Sequence, residues 1–113
     1  TALEEGELIT RVDFPIPEAA AYAKFKNPAS RFALVGVMIS RGSKGIRVAV
    51  TGAGPCVFRV PGMEEVLGED LTPGALRRIS VPADDLNTDI HASAEYRAHL
   101  IDVMARRALE RMA

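Results

Sequence analysis

Phe32-Ala33-Leu34-Val35-Gly36-Val37-Met38-Ile39-Ser40-Arg41, then Gly42-Ser43-Lys44-Gly45, then Ile46-Arg47-Val48-Ala49-Val50-Thr51, is the stretch that decides the fold. The first segment is apolar almost without interruption from Phe32 to Ile39. Such a run belongs to a strand buried on both faces, or to one with a buried face and a partner surface. Gly36 inside it signals a bulge or a close backbone approach. The second segment alternates Ile46, Val48 and Val50 against Arg47, Ala49 and Thr51. Two such runs joined by the short glycine-rich turn Arg41–Gly45 read as an antiparallel hairpin.

Working outward, residues 7–14 (Glu-Leu-Ile-Thr-Arg-Val-Asp-Phe) are rich in β-branched side chains and stop at Pro15 and Pro17. They read as a further strand with a hard end. Ala19 to Phe25 mixes alanines with Tyr22 and Phe25 and reads as a short extended segment entering the Asn27-Pro28 loop. Downstream, Thr51-Gly52-Ala53-Gly54-Pro55 ends the hairpin, and Cys56 to Val60 is expected to be extended. Pro61 to Leu67 reads as one or two helical turns closed by Gly68. Thr72-Pro73 is a cap and first-turn pair that predicts a second short helix to Ile79. Ser80 to Ile90 reads as loop. Ser93 to Met112 carries the strongest helical signal: Ser93 as cap, Glu95 in the first turn, and Tyr96, Leu100, Val103, Met104, Ala108 and Met112 at helical spacing. Strands followed by helices predict one α+β domain over residues 1–113. Its antiparallel sheet has three to four strands, packed with short helices and one long C-terminal helix.

Composition narrows the function. The 113 residues carry 14 basic and 15 acidic side chains, a net charge of -1, and 48% hydrophobic residues. That balance fits one soluble domain and argues against a nucleic-acid binder, which needs a basic surplus. No apolar run approaches the roughly 20 residues of a membrane span. Cys56 is the single cysteine, so no intrachain disulfide or cysteine zinc site forms, and a reducing, cytoplasmic setting is expected. Thr1 stands first and no signal-peptide pattern follows, so the sequence is expected to be part of something longer.

Most candidate chemistry has an ordinary explanation. Gly52-Ala53-Gly54 follows a strand, but no third glycine and no immediate helix follow, so a strand-end turn is expected rather than a phosphate loop. His91 and His99 have no third ligand nearby, and Asp84, Asp85 and Asp89 lack calcium-loop spacing. Cys56 lies in an apolar stretch and is expected to be a buried structural thiol; a hydrolase built on it lacks a base. Arg97 and Arg107 are expected to form ion pairs or to contact a neighbouring domain. The loop Lys24-Phe25-Lys26-Asn27-Pro28-Ala29-Ser30-Arg31 is basic and leads into the most apolar strand. It is either a solvated loop or a place where Lys26, Ser30 and Arg31 meet an anionic or electron-rich ligand.

Several segments, in order, resemble the C-terminal domain of the FAD-binding medium subunit of carbon monoxide dehydrogenase and xanthine dehydrogenase-type molybdenum hydroxylases. They are Gly6-Glu7-Leu8-Ile9-Thr10 through Pro15, Tyr22-Ala23-Lys24-Phe25, Ala29-Ser30-Arg31-Phe32-Ala33-Leu34-Val35, Arg47 to Gly54, Asp89 to Arg97, and Arg106-Arg107-Ala108-Leu109. The resemblance implies an α+β domain beside FAD, with N-terminal FAD-binding domains of the same subunit completing the site. It also implies a [2Fe-2S] iron-sulfur small subunit and a molybdopterin large subunit as partners. The loop from Lys24 to Arg31 would face the flavin: Lys24 as a flavin-site residue, Ser30 and Arg31 tuning its electrostatics and the access of the acceptor. The isolated chain is then expected to be inactive and to bind FAD poorly, because most contacts lie elsewhere. The competing expectation is a stand-alone module without flavin, a homodimer through the strand Phe32–Ile39.

Overall fold

The computed structural model describes residues 3–112; Thr1, Ala2 and Ala113 lie outside the described residues. Strands β1 (Ala19–Lys26), β2 (Ala33–Gly42), β3 (Gly45–Thr51) and β4 (Phe58–Arg59) form one four-stranded antiparallel meander in chain order. Helix α1 (Pro61–Glu69), a 3₁₀ turn (Ala75–Arg78) and helix α2 (Ala94–Met112) complete it. The α+β reading stands. The hairpin falls where the alternation puts it, with Ile39 opposite Val48 and Val37 opposite Val50.

Register explains which side chains are buried. Ala23, Val37 and Val50 align across three strands, as do Ala21, Ile39 and Val48, and Phe25 pairs with Val35. Val35, Val37, Ile39, Val48 and Val50 are fully buried on this face, over which α2 packs on β1 and β2 and α1 on β3. Alternate residues such as Tyr22, Lys24 and Met38 point to the other face. Gly36 lies there in unbroken register, so it marks a close approach rather than a bulge: a Cβ at Gly36 would run into the Tyr22 ring. The bulge is in β1, between Phe25 and Lys26.

Three expectations need correction. Residues 7–14 form no strand; Leu8, Val12 and Phe14 are exposed. The second short helix shrinks to the 3₁₀ turn Ala75–Arg78. Helix α1 runs through Gly68 to Glu69. On α2 the buried face is Arg97, Leu100, Ile101, Met104, Ala105, Ala108 and Leu109, while Tyr96 stands partly exposed with its ring edge-on to Phe25. Ser93 caps α2 as expected, its hydroxyl accepting the Tyr96 N–H at 3.2 Å.

Candidate functional site

Strand β1 ends in the basic loop, and the chain returns through it into β2. Asn27 N–H donates to the Phe32 carbonyl at 2.8 Å, and Arg31 N–H to the Asn27 carbonyl at 3.0 Å. Asn27 is buried, and its Oδ1 accepts the backbone N–H of Ala29 (2.9 Å) and of Ser30 (3.1 Å). Arg31 has φ 62°, the one positive φ among the described non-glycine residues. An arginine in that region is strained, and strained backbone concentrates where structure serves function. Lys24 Nζ donates to the Arg31 carbonyl at 3.2 Å, so Lys24 and Arg31 are brought together. Ser30 lies on the same loop with its hydroxyl towards Asn27 Oδ1 (3.4 Å). Among the described residues no carboxylate pairs with Lys24, Lys26 or Arg31.

The loop is anchored from below by Arg97, which is 2% exposed. Its guanidinium donates to the carbonyls of Leu34 (2.7 Å) and Gly52 (3.0 Å) and to the Asp89 carboxylate (2.7 Å); Nε is left without a partner. One side chain thus ties the start of β2, the end of β3 and the segment before α2. Gly52 (φ 79°) is required at that point, since a Cβ would collide with the Ala33 carbonyl oxygen. Asp89 accepts the backbone N–H groups of His91 and Ala92. Those bonds, His91's foremost, hold its carboxyl below the usual range against partial desolvation, with Arg97 adding to the effect. The sequence offered Arg97 as an ion-pair residue; that it is a buried clamp follows only from the topology that stacks α2 over β1 and β2.

Cys56 is exposed, not a buried structural thiol. Strand β4 is only two residues long, so the chain before it lies outside the sheet. Cys56 lines an apolar groove with Phe58, Ile79 and Leu86, and no histidine lines it. Among the described residues no group of three or more His, Cys, Asp or Glu side chains converges. No helix of the described residues is long and apolar enough to cross a membrane. The run Phe32–Ile39 becomes a central strand: Val35, Val37 and Ile39 face the core, while Phe32 and Met38 are exposed and Ala33 is half-buried.

Fold and loop define a class: an α+β domain that presents a strained, cationic loop at one end of its sheet. The chain belongs to the CO dehydrogenase flavoprotein C-terminal domain family, whose model matches residues 20–112. It is 36% identical over 119 residues to the nicotine 6-hydroxylase medium subunit of Paenarthrobacter nicotinovorans, covering 96% of this chain and 42% of that one. Reconstituted CO dehydrogenase from Oligotropha carboxidovorans superposes with a TM-score of 0.75 at 28% identity, over 99% of this chain and 43% of that one. Quinoline 2-oxidoreductase from Pseudomonas putida 86 shares the fold, with a TM-score of 0.72 at 22% identity and the same coverage. The chain therefore spans about two-fifths of the length of the relatives it matches.

Proposed function

We propose that the chain serves as the C-terminal domain of the flavin subunit of a cytoplasmic molybdenum hydroxylase-type oxidoreductase. There it walls one side of the FAD site and docks the iron-sulfur and molybdopterin subunits. The observation that carries this reading is the loop from Lys24 to Arg31, held in strained geometry with its cations unpaired among the described residues. The donor set fits an anionic, electron-rich cofactor. Lys24 spends one of its three N–H donors on the Arg31 carbonyl, and the guanidinium of Arg31 is exposed. Bound FAD would receive electrons from the [2Fe-2S] clusters and pass them to an acceptor. Lys24 and Arg31 would hold it and favour its anionic reduced form by Coulomb attraction, and Ser30 would offer its hydroxyl oxygen. Lys24 and Ser30 owe their positions to Asn27 and to the Arg31 backbone, so the loop acts as one piece.

The test is a flavin titration followed by fluorescence quenching. The chain is measured alone and with the flavin-binding region of a medium subunit of this family supplied in trans. FAD is expected to bind well only with that region present, and Lys24→Ala to weaken binding about tenfold, the loss of one charge-assisted contact. If the pieces associate and bind FAD equally well with and without the Lys24 ammonium, the flavin-wall role is wrong. If they never associate and the chain self-associates instead, the stand-alone dimer is the better account.

A further inference from the structure

The arm before β1 has the pleat of a strand and no strand beside it. Arg11 Nε donates to Asp13 Oδ2 at 3.0 Å. Side chains two apart meet on extended backbone and not on a helix. Glu7, Arg11 and Asp13 therefore share one face with Ile9, and Leu8, Thr10, Val12, Phe14 and Ile16 make the other. The ends are defined. The Glu7 N–H closes a turn on the Glu4 carbonyl with Gly6 at φ 84°, and Pro15 and Pro17 end the run.

Nothing covers this strand. Among the described residues no backbone N–H or C=O from Leu8 to Pro17 has a hydrogen-bond partner. Leu8, Val12, Phe14 and Ile16 are all exposed. A row of free backbone groups along an apolar face is an edge that proteins pair or cover. A second copy of the arm suits it poorly. From Glu4 to Glu18 the acids Glu4, Glu5, Glu7, Asp13 and Glu18 stand against Arg11 alone, so two arms side by side would set like charges together. Nor is the arm part of the domain's own pattern, which begins at residue 20.

We propose that residues 7–16 add as a strand to an open sheet edge of the flavin-binding region, apolar face inward, and so join the two parts of the subunit. This rests on reading the chain as part of a flavin subunit. The edge that fits has an apolar surface beside it and basic or uncharged side chains opposite Glu7 and Asp13.

The experiment uses the full chain, wild type and with Phe14→Asp or Arg11→Ala, and the flavin-binding region of a medium subunit of this family in trans. Association is measured by calorimetry. Phe14→Asp is expected to weaken it about thirtyfold, the loss at a buried aromatic anchor. Arg11→Ala, on the charged face, should stay within about twofold. By ¹⁵N NMR, alternate amides between Leu8 and Phe14 should exchange about tenfold more slowly in the complex, one new backbone hydrogen bond each. The Val37 amide of β2 should stay protected in every variant. Equal affinity for Phe14→Asp and wild type, or a complex in which the arm's amides stay fast, would overturn the proposal. So would protection of those amides in the concentrated chain alone, which would make a second copy the occupant. If Phe14→Asp loses association while Lys24→Ala leaves FAD binding unchanged, the added strand stands and the flavin wall falls. If Phe14→Asp matches wild type while Lys24→Ala weakens FAD binding, the wall stands and the strand falls.

Discussion

Residues 7–16 and strand β2 are written in the same alphabet of apolar and β-branched side chains. Yet Val12, Phe14 and Ile16 are 59%, 85% and 96% exposed, while Val35, Val37 and Ile39 are fully buried. The difference is not propensity. β2 has β1 on one side and β3 on the other, and every alternate side chain meets a helix. Pro15 and Pro17 donate no N–H, and pairing with the sheet begins only at Glu18, whose N–H reaches the Arg41 carbonyl at 2.8 Å. A strand-forming sequence becomes a strand only where an edge receives it.

The largest effect that would test this contrast is at the clamp that fixes where β2 begins. Arg97→Ala removes the buried guanidinium from two carbonyls and the Asp89 carboxylate. It is expected to destabilise the chain by about 3–5 kcal/mol in urea unfolding, the usual cost of breaking a buried charged network. A loss below about 1 kcal/mol would mean that sheet pairing alone defines β2.

A paired substitution compares the two regions directly. Ile39→Ala opens a cavity under α2 and is expected to cost about 2–5 kcal/mol. Ile16→Ala changes a side chain that touches little and should stay within about 0.5 kcal/mol. Similar losses at both positions, read from unfolding midpoints, would show that the arm packs on the domain in solution.

A smaller effect comes from β3, whose edge is covered partly by a side chain. β4 pairs only at Ala49 and Val50. Beyond it the Val48 N–H donates to Glu64 Oε1 of α1 at 3.0 Å, and Arg59 pairs with the same carboxylate. The Arg59 hydrogen bond chiefly holds the Glu64 carboxyl below its usual range, against desolvation, helped by the Val48 N–H. A depressed folded-state value gives stability that is present above the ordinary glutamate range, near pH 4, and lost as pH falls through the folded value. Glu64→Gln, which keeps the oxygen but drops the charge, is expected to cost about 1–2 kcal/mol at neutral pH. That gap should close on acidification below about pH 4; a gap independent of pH would assign the effect to packing.

What could be read in the sequence follows the same physical line. The hairpin and α2 are local patterns whose periodicity fixes the element and its buried face, so their bounds fall within a residue or two of expectation. The loop from Lys24 to Arg31 was visible as a basic interruption between apolar runs. Asn27, His91 and Arg97 were not visible as a network. They are 64 and 63 residues from the groups they meet, His91 from Asn27 and Arg97 from Leu34. Sequence gives an arginine on a helix no reason to be buried. Cys56 is exposed despite its apolar neighbours, because an apolar neighbourhood in sequence does not place a residue inside the sheet when the adjoining strand is two residues long.

The last step is to remove the arm altogether. A chain beginning at Pro17 keeps the Glu18–Arg41 hydrogen bond and every core side chain. Its unfolding midpoint should lie within about 0.5 kcal/mol of the whole chain's, the range of surface changes that touch no packed feature. The arm's side chains at 8, 10, 12, 14 and 16 are Leu, Thr, Val, Phe and Ile, a period-two face that burial against another sheet would satisfy. The truncated chain should therefore remain folded yet associate more weakly with the flavin-binding region in trans. If truncation lowered stability by several kcal/mol, the arm would be a working part of this domain, and the contrast with β2 would be one of degree. If stability and association were both unchanged, the apolar face of the arm would have no role in joining the two parts. The contacts that unite them would then have to come from the open face of the sheet around Tyr22 and Met38.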